Sequence, residues 1–278
     1  MTPPISGATA RRMFGLVEPI GLIPYATDEP AEALLALGLR NYWDTYFAGR
    51  AAPLGRAPAE VVHAIFYNFA PGEAARHLPR VWDLITPDAA LAARQQGCVL
   101  ALRRILGDLV DAPGLARTAD LLTTAAISPP TVGRALYAGL RALPLPEEPV
   151  ARLWHAANLL REHRGDGHVI ALVANGIGGT EAHVLHALAD GMPAEKFGRV
   201  SHLPEAQLAA AIDGMRARGL IGADGWLTAD GRATKERIEA LTDDLAAPAY
   251  DVLEPSDLDQ LIADLEPLAA ALNAAHAV

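Results

Sequence analysis

The strongest constraint on this chain is a tandem repeat. The run Tyr46-Phe47-Ala48-Gly49, Pro53-Leu54, Val62-His63-Ala64, His77 and Thr86-Pro87-Asp88-Ala89 returns as Leu136-Tyr137-Ala138-Gly139, Pro144-Leu145, Trp154-His155-Ala156, His168 and Gly179-Thr180-Glu181-Ala182. The offset drifts only from 90 to 93 residues, which reads as an internal duplication. Duplicated helical halves pack with pseudo-twofold symmetry, so matching positions meet at the seam. His63 with His155, and His77 with His168, are therefore expected to converge. The alternative is chance matching in a chain rich in Ala and Leu.

Composition narrows the fold class. Apolar residues make up 51% of the 278 positions, enough for a packed core, yet only 5% are aromatic. Abundant Ala and Leu with few branched or aromatic side chains favour helices over sheets. Cys98 is the sole cysteine, so no disulfide forms within one chain, and a reducing, cytoplasmic setting is expected. Arg11-Arg12 precede an apolar stretch that Glu18-Pro19 interrupts, which argues against a signal peptide, and no run reaches membrane-spanning length. The net charge of −10 divides as −1 over residues 1–150, −3 over 151–250 and −6 over 251–278, so no segment has the basic surplus of a nucleic-acid binder.

Periodicity predicts helices over residues 29–48, from about 58 to 70, over 73–85 and over 87–106, with Pro87 at a helix start. Ser128 before Pro129-Pro130 reads as another start. Further helices are expected at about 149–163, 166–175 and 180–190, separated by Gly165, Gly167 and the glycines of 176–179. The grammar changes after residue 200. A helix over 204–218 ends at Gly219, Leu220-Ile221 and Trp226-Leu227 flank Asp224-Gly225 as in a short hairpin, and a long helix follows to about 246. Ser256 with Asp259 caps a last amphipathic helix.

The run Leu203 to Leu245, with Arg218-Gly219-Leu220-Ile221, a short wing and Leu227-Thr228-x-x-Gly231-Arg232, resembles the winged helix of MarR-type regulators. Through Glu18-Pro19-Ile20, Tyr46 to Gly55 and Glu162 to His168, the whole chain resembles an actinobacterial group labelled SalK-like, or simply helix-turn-helix family proteins, from which no activity carries over. The expected architecture is mainly α: helical repeat 1 over 1–110, helical repeat 2 over 111–192, a winged helix-turn-helix with a β-hairpin wing over 193–250, and an acidic C-terminal helix over 251–278.

Four sets of residues compete as sites. In a DNA reader the helix before the wing enters the major groove, with basic residues around it on phosphates. Here Gln207, Arg216 and Arg218 are the candidates, but Glu205 and Asp213 share that helix and the wing carries Asp224, so a winged helix used for packing is the competing reading. The segment Glu162-His163-Arg164-Gly165-Asp166-Gly167-His168 concentrates ionisable residues around two glycines, reading either as a ligand-contacting loop or as a solvated one whose Asp166 caps a helix. His183 and His186 stand one turn apart and could present two imidazoles to a metal, although no metalloenzyme signature accompanies them. The four histidines of the repeat could bind a polar ligand, exchange protons or ligate haem iron, or be satisfied interior groups.

The leading expectation is a ligand-binding protein of regulator type, dimeric, with a small molecule in the seam and the winged helix reporting its presence to DNA or a partner. Arg161, Glu162, His163, Arg164, Asp166 and His168 would hold the ligand, and His63, His77, Trp154 and His155 would complete the pocket. The competing class is an enzyme using His155 or His168 as acid–base groups or ligands of an unidentified cofactor. A structural interaction module is the third.

Overall fold

One long helix organises the molecule. The computed structural model describes residues 4–197 and 203–276, and α10, Pro149–Ala174, is the longest helix there at 26 residues, or about 39 Å. It begins where the Glu148 carboxylate accepts the Val150 and Ala151 amides. Its first half is buried on nearly every side: Val150, Leu153, Ala156, Ala157, Leu159 and Leu160 are all buried, and so are His155 and Asn158. A helix buried nearly all round has to run through a core.

Around α10 the chain lays down α1 (Gly7–Gly21), α2 (Ile23–Ala26), α3 (Glu29–Leu35), α4 (Tyr42–Ala51), α5 (Ala59–Phe66), α6 (Val81–Leu84), α7 (Pro87–Leu106), α8 (Leu115–Ile127) and α9 (Ala135–Arg141). After it come α11 (Gly179–Ala189), α12 (Glu205–Ala217), α13 (Ala229–Ala246) and α14 (Pro255–His276). Side-chain caps set several starts. Ser6, Asn41, Thr86 and Thr228 each accept the amide three residues on, at 3.0–3.2 Å, opening α1, α4, α7 and α13.

Among the described residues three large apolar clusters, and a small one of Ala10, Ala246 and Ala247, make up the interior. The largest joins α1, α7, α8, α10 and α14, with Met13, Ile20, Leu102, Leu122, Leu153 and Leu265 essentially inaccessible. The acidic C-terminal segment thus buries its leucine stripe while its carboxylates stay outside. A second cluster, built on Phe47, Phe66, Phe69 and Trp82, fills the space among α3 to α7. The third joins the end of α10 through Ala171 and Leu172 to α11, α12 and α13 through Leu185, Met215 and Ile238. This cluster thus draws residues from both sides of position 193.

Several local expectations are corrected. The helix expected over 29–48 is two helices, because Gly38 at φ +101° reverses the chain. The helix expected over 73–85 is a 3-10 turn at Ala74–Arg76 followed by α6. Ser128 closes α8 instead of opening a helix: its hydroxyl donates to the carbonyls of Ala125 and Ala249. The two helices expected across 149–175 are the single α10. Gly167 stays helical because the space a side chain would need is occupied, a Cβ there standing 2.7 Å from Arg134 Nη1 and 3.4 Å from Leu245 Cβ. Tertiary packing overrides the low helical propensity of glycine.

The β-hairpin wing is also corrected. Among the described residues there is no strand; Ile221 and Leu227 form one isolated antiparallel bridge. The turn uses four residues, Gly222 to Gly225, with the Gly225 amide on Gly222 O at 3.1 Å and φ +84° at Gly225. Asp224 takes the Trp226 amide at 3.1 Å, and the pairing ends with the Thr228 amide on Leu220 O at 3.0 Å. Too few residues remain on either side for a ladder. No helix among the described residues is long and apolar enough to cross a membrane.

The repeated sequences adopt different local structures. α5 has eight residues and its sequence counterpart begins the 26-residue α10. His77 sits just after a 3-10 turn, whereas His168 lies inside α10. The preceding helices do meet across the halves: α9 packs on the turn after α4 so closely that a Cβ at Gly139 would stand 2.7 Å from Pro53 O.

Candidate functional site

The second half of α10 borders a cleft of two adjoining compartments, about 270 and 590 Å³, that share Phe14, Glu18, Asn68, Arg164, His168 and His183 as walls. Two walls were not foreseen from the sequence. One comes from α1 through Phe14 and Glu18, the other from α4, α5 and the following turn through Tyr46, Arg50, Phe66 and Asn68. The turn is sharp: Tyr67 has φ +58°, and its carbonyl lies so near α11 that a Cβ at Gly179 would approach it to 2.0 Å. Tyr67 also donates its hydroxyl to Ile177 O at 2.5 Å, fixing the turn to the segment between α10 and α11.

The floor is a buried ion network. Glu162, with 3% of its side chain exposed, accepts Arg50 Nη2 at 3.0 Å and Arg161 Nη1 at 2.8 Å. Burial would raise its pKa, yet the two guanidinium groups hold it down at about 2. Arg161 Nε reaches Glu18 at 3.3 Å, and Arg50 Nη1 donates to the Tyr46 hydroxyl at 3.2 Å. Glu18 is pushed above the usual carboxylate range by burial. Arg50 and Arg161 are also stacked, over the rings of Phe66 and Tyr25 at 4.3 and 5.3 Å. Gly21 makes this possible, because a Cβ there would stand 2.8 Å from the Arg161 stem.

A second network ties the cleft to α13. Arg164 donates to Asp243 at 3.0 Å and Glu239 at 3.3 Å, and Arg11 reaches the same two carboxylates at 2.8 and 2.7 Å. Lys235 adds a third cation on Glu239. Burial would raise Glu239, but Lys235 and Arg11 hold it at about 2. Thr242 donates to Ile238 O at 2.6 Å, so its oxygen accepts from His168 Nδ1 at 3.0 Å. That assigns the ring proton to Nδ1; burial brings the pKa of His168 down to about 4, and the imidazole is neutral at pH 7.

Polar groups in these walls are incompletely bonded. Arg50 Nε, Asn68 Oδ1 and Arg164 Nε are buried with no hydrogen-bond partner among the described residues, and Glu18 Oε2 has only the 3.3 Å ion-pair contact with Arg161 Nε. Buried polar atoms in native proteins are nearly all satisfied, so these exceptions around one cleft mark it as a place where a partner belongs. Asp166 adds a fifth feature: burial pushes its carboxyl up to about 6, although the Tyr137 amide donates to it at 3.0 Å.

Of the residues singled out in the sequence, Arg161, Glu162, Arg164, Asp166 and His168 line the cleft together. They do so as the cleft-facing stripe of a continuous helix and not as a loop. His163 turns away: its ring packs edge-on against Tyr137 at 5.0 Å, and burial, with Arg134 adding, holds it neutral with a pKa of about 3. His77 is a bonded interior group, stacked on Phe47 at 4.9 Å with Nδ1 2.8 Å from Asp44, which also takes Arg80 at 2.5 Å. His63, Trp154 and His155 lie outside the cleft, so the histidine pairs of the repeat do not converge on it.

His183 and His186 flank Phe197, at 5.5 and 5.2 Å, in place of a shared point. His183 Nε2 lies 3.1 Å from Asn68 O and His186 Nε2 lies 3.6 Å from Asp190. Among the described residues no group of three His, Cys, Asp or Glu side chains is placed to hold a metal ion. His202 lies outside the described residues. Cys98 is buried, and burial pushes its thiol to about 12, a core residue and no nucleophile.

The groove-facing candidates are engaged elsewhere. Arg216 pairs with Asp213 at 2.6 Å, and Arg218 pairs with Glu181 at 2.6 Å and caps Gly176 O. Gln207 and Pro204 at the start of α12 face Ala70, Glu73 and Arg76 of the first half across a gap of about 230 Å³. Glu205, Ala209, Ala210 and Asp213 are exposed, a face without surplus positive charge.

The signal that could have found Glu18 and Arg50 is a charged residue set among apolar neighbours, Val17-Glu18-Pro19-Ile20 and Phe47-Ala48-Gly49-Arg50-Ala51-Ala52. Each interrupts a run of buried residues, and a buried charge needs a partner from elsewhere in the chain. No curated protein and no solved structure matches the chain significantly. The profile of a helix-turn-helix family, by contrast, matches residues 10–278, almost the entire sequence and not the winged segment alone. The chain therefore belongs to this helix-turn-helix family.

Proposed function

We propose that this protein is a small-molecule-binding protein of helix-turn-helix regulator type, with the charged cleft as its ligand site. The observation that carries the reading is the set of buried, incompletely bonded polar groups on the walls of one cleft, next to the helix that follows the wing. Arg50 and Arg164 offer donors to an anionic group, Glu18 and Asp166 offer acceptors to a cationic one, and Phe14, Tyr46 and Phe66 line the sides. That set suits a compact zwitterion of amino-acid type. An ammonium beside Asp166 would restore its charge, and a carboxylate at Arg164 would compete with Glu239 and Asp243 for its guanidinium.

Such competition loosens α13 from α10 and α1, which is how occupancy would reach the winged-helix unit. The likeness of Leu203 to Leu245 to MarR-type winged helices, and membership of the family, support DNA as the readout. With Arg216 and Arg218 held by Asp213 and Glu181, duplex binding requires those ion pairs to open.

The test is thermal denaturation of the full chain against a panel of amino acids and small carboxylates, with Arg164→Met alongside. A compound that raises the Tm of the wild type and not of the variant supports the reading. Absence of any stabilising compound, or equal stabilisation of both proteins, overturns it. A second reading, acid–base catalysis, has one specific observation in its favour: Asp166 titrates near neutrality in the cleft wall. Turnover of a bound compound that is lost in Asp166→Asn would select it.

A further inference from the structure

Nearer the N-terminal end of α10 there is a separate cavity of about 210 Å³ between α7, α9 and α10. Leu91, Leu140, Leu143 and Pro144 give it apolar walls; Arg94, Trp154 and His155 are its buried polar groups, with Gln95 and the exposed Asp88 also in its lining. Arg94 is unusual. It is 4% exposed, and among the described residues no carboxylate pairs with it; its hydrogen bond is from Nη2 to the Tyr25 hydroxyl at 3.0 Å. The guanidinium lies 5.4 Å from the Trp154 ring and 5.7 Å from that of Tyr25, contacts that offset only part of the loss of water. Its stem is accommodated by Gly49, where a Cβ would stand 3.0 Å from Arg94 Cδ.

Beside it the Trp154 indole N–H and His155 Nε2 are buried without hydrogen-bond partners among the described residues. Burial takes His155 down to about 4, so its ring adds no charge at pH 7. A buried cation with no carboxylate in ion-pair contact and a buried N–H without an acceptor suit an anion with free lone pairs. The leucine and proline walls call for an apolar body attached to it. The volume lies below the roughly 300–1,000 Å³ of pockets for drug-sized ligands, which limits that body to a single ring or a short chain.

The geometry points to a second ligand site at this cavity, for a small monocarboxylate with an apolar body, its carboxylate on the Arg94 guanidinium and the Trp154 N–H. This cavity is separate from the charged cleft, whose arginines all have carboxylate partners, although Arg94 and Arg161 share Tyr25, one on its hydroxyl and the other over its ring.

The experiment is isothermal titration of the full chain with sodium benzoate and with benzyl alcohol as the neutral counterpart. Arg94→Met removes the cation. Ala92→Trp narrows the cavity from an exposed position on its rim, leaving the core intact if Arg94→Met fails to fold. Arg164→Met reports on the cleft. Saturable benzoate binding is expected, at least about tenfold tighter than that of benzyl alcohol, weakened at least about tenfold by Arg94→Met and by Ala92→Trp, and unchanged in Arg164→Met. No saturable binding to the folded wild type, benzyl alcohol binding as tightly as benzoate, undiminished binding in Ala92→Trp, or loss of binding in Arg164→Met each overturns the proposal.

Discussion

Replacing Glu162 with Gln removes one charge from the centre of the buried network and leaves the shape almost unchanged. The carboxylate is 3% exposed and holds Arg50 and Arg161 at 3.0 and 2.8 Å. A carboxyl that titrates at about 2 in the folded chain and at 4.5 as a free side chain is more stable ionised by about 3 kcal/mol, at about 1.4 kcal/mol per pH unit. Independent measurements on buried pairs point the same way, since removing one partner destabilises by about 3–5 kcal/mol. The sign follows from the direction. The folded-state pKa is depressed, so the stabilisation is complete above pH 4.5 and is lost as the pH falls toward 2. Urea denaturation should show Glu162→Gln less stable than the wild type by about 3 kcal/mol at pH 7 and by only about 2 kcal/mol at pH 3.5. A penalty below about 1 kcal/mol at pH 7, or one that does not shrink at the lower pH, would refute the claim that Arg50 and Arg161 depend on this carboxylate.

Other consequences follow from the same coordinates. Gly165→Ala should stabilise by about 0.5–1 kcal/mol, because a Cβ there meets nothing nearer than Glu162 Oε2 at 3.5 Å, whereas Gly167→Ala should destabilise through its 2.7 Å approach to Arg134; chemical denaturation of the two variants compares them directly. Asp44→Asn should destabilise by about 3 kcal/mol in urea denaturation, because Asp44 is fully buried beneath His77 and Arg80 and their hydrogen bonds hold its pKa down against burial. If the winged helix reads duplex DNA, neutralising both retaining carboxylates in Glu181→Gln/Asp213→Asn should free Arg216 and Arg218. Anisotropy titrations would then show tighter, more salt-dependent binding, with the slope of log K against log salt steeper by up to about 2. No binding by either protein at low ionic strength would remove DNA from the account.

What the sequence made legible were features written in adjacent residues. Thr86-Pro87 opens α7 as a capped helix with Pro in its first turn, Gly219 follows the end of α12, and the leucine stripe marks α14, although that helix starts at Pro255, so Ser256, expected as its cap, lies inside it. The stripe from Arg161 to His168 was recognisable as a concentration of ionisable groups. Its setting was not, because Gly165 and Gly167 are helix breakers in isolation and only the approach of Arg134 and Leu245 explains a glycine inside α10. Pro19, read as an interruption, sits in the last turn of α1.

The far side of the cleft was invisible for a different reason. Glu18 and Arg161 are 143 residues apart, and Arg50 and Glu162 are 112 apart, so the pairs exist only once the helices have packed. The repeat misled in the same way. It aligned four histidines by sequence, but the long α10 and the short α5 place the matching residues in different surroundings.

The central claim, that the cleft binds a ligand and passes its presence to the winged-helix unit, is tested most directly by amide hydrogen exchange. The full chain would be compared with and without the compound that most raises its Tm. The account predicts a paired response: slower exchange across residues 161–169, where the ligand sits, together with altered exchange in residues 235–243 and 220–228. Protection elsewhere in the molecule, or protection of 161–169 with no change in α13 and the wing, would contradict it.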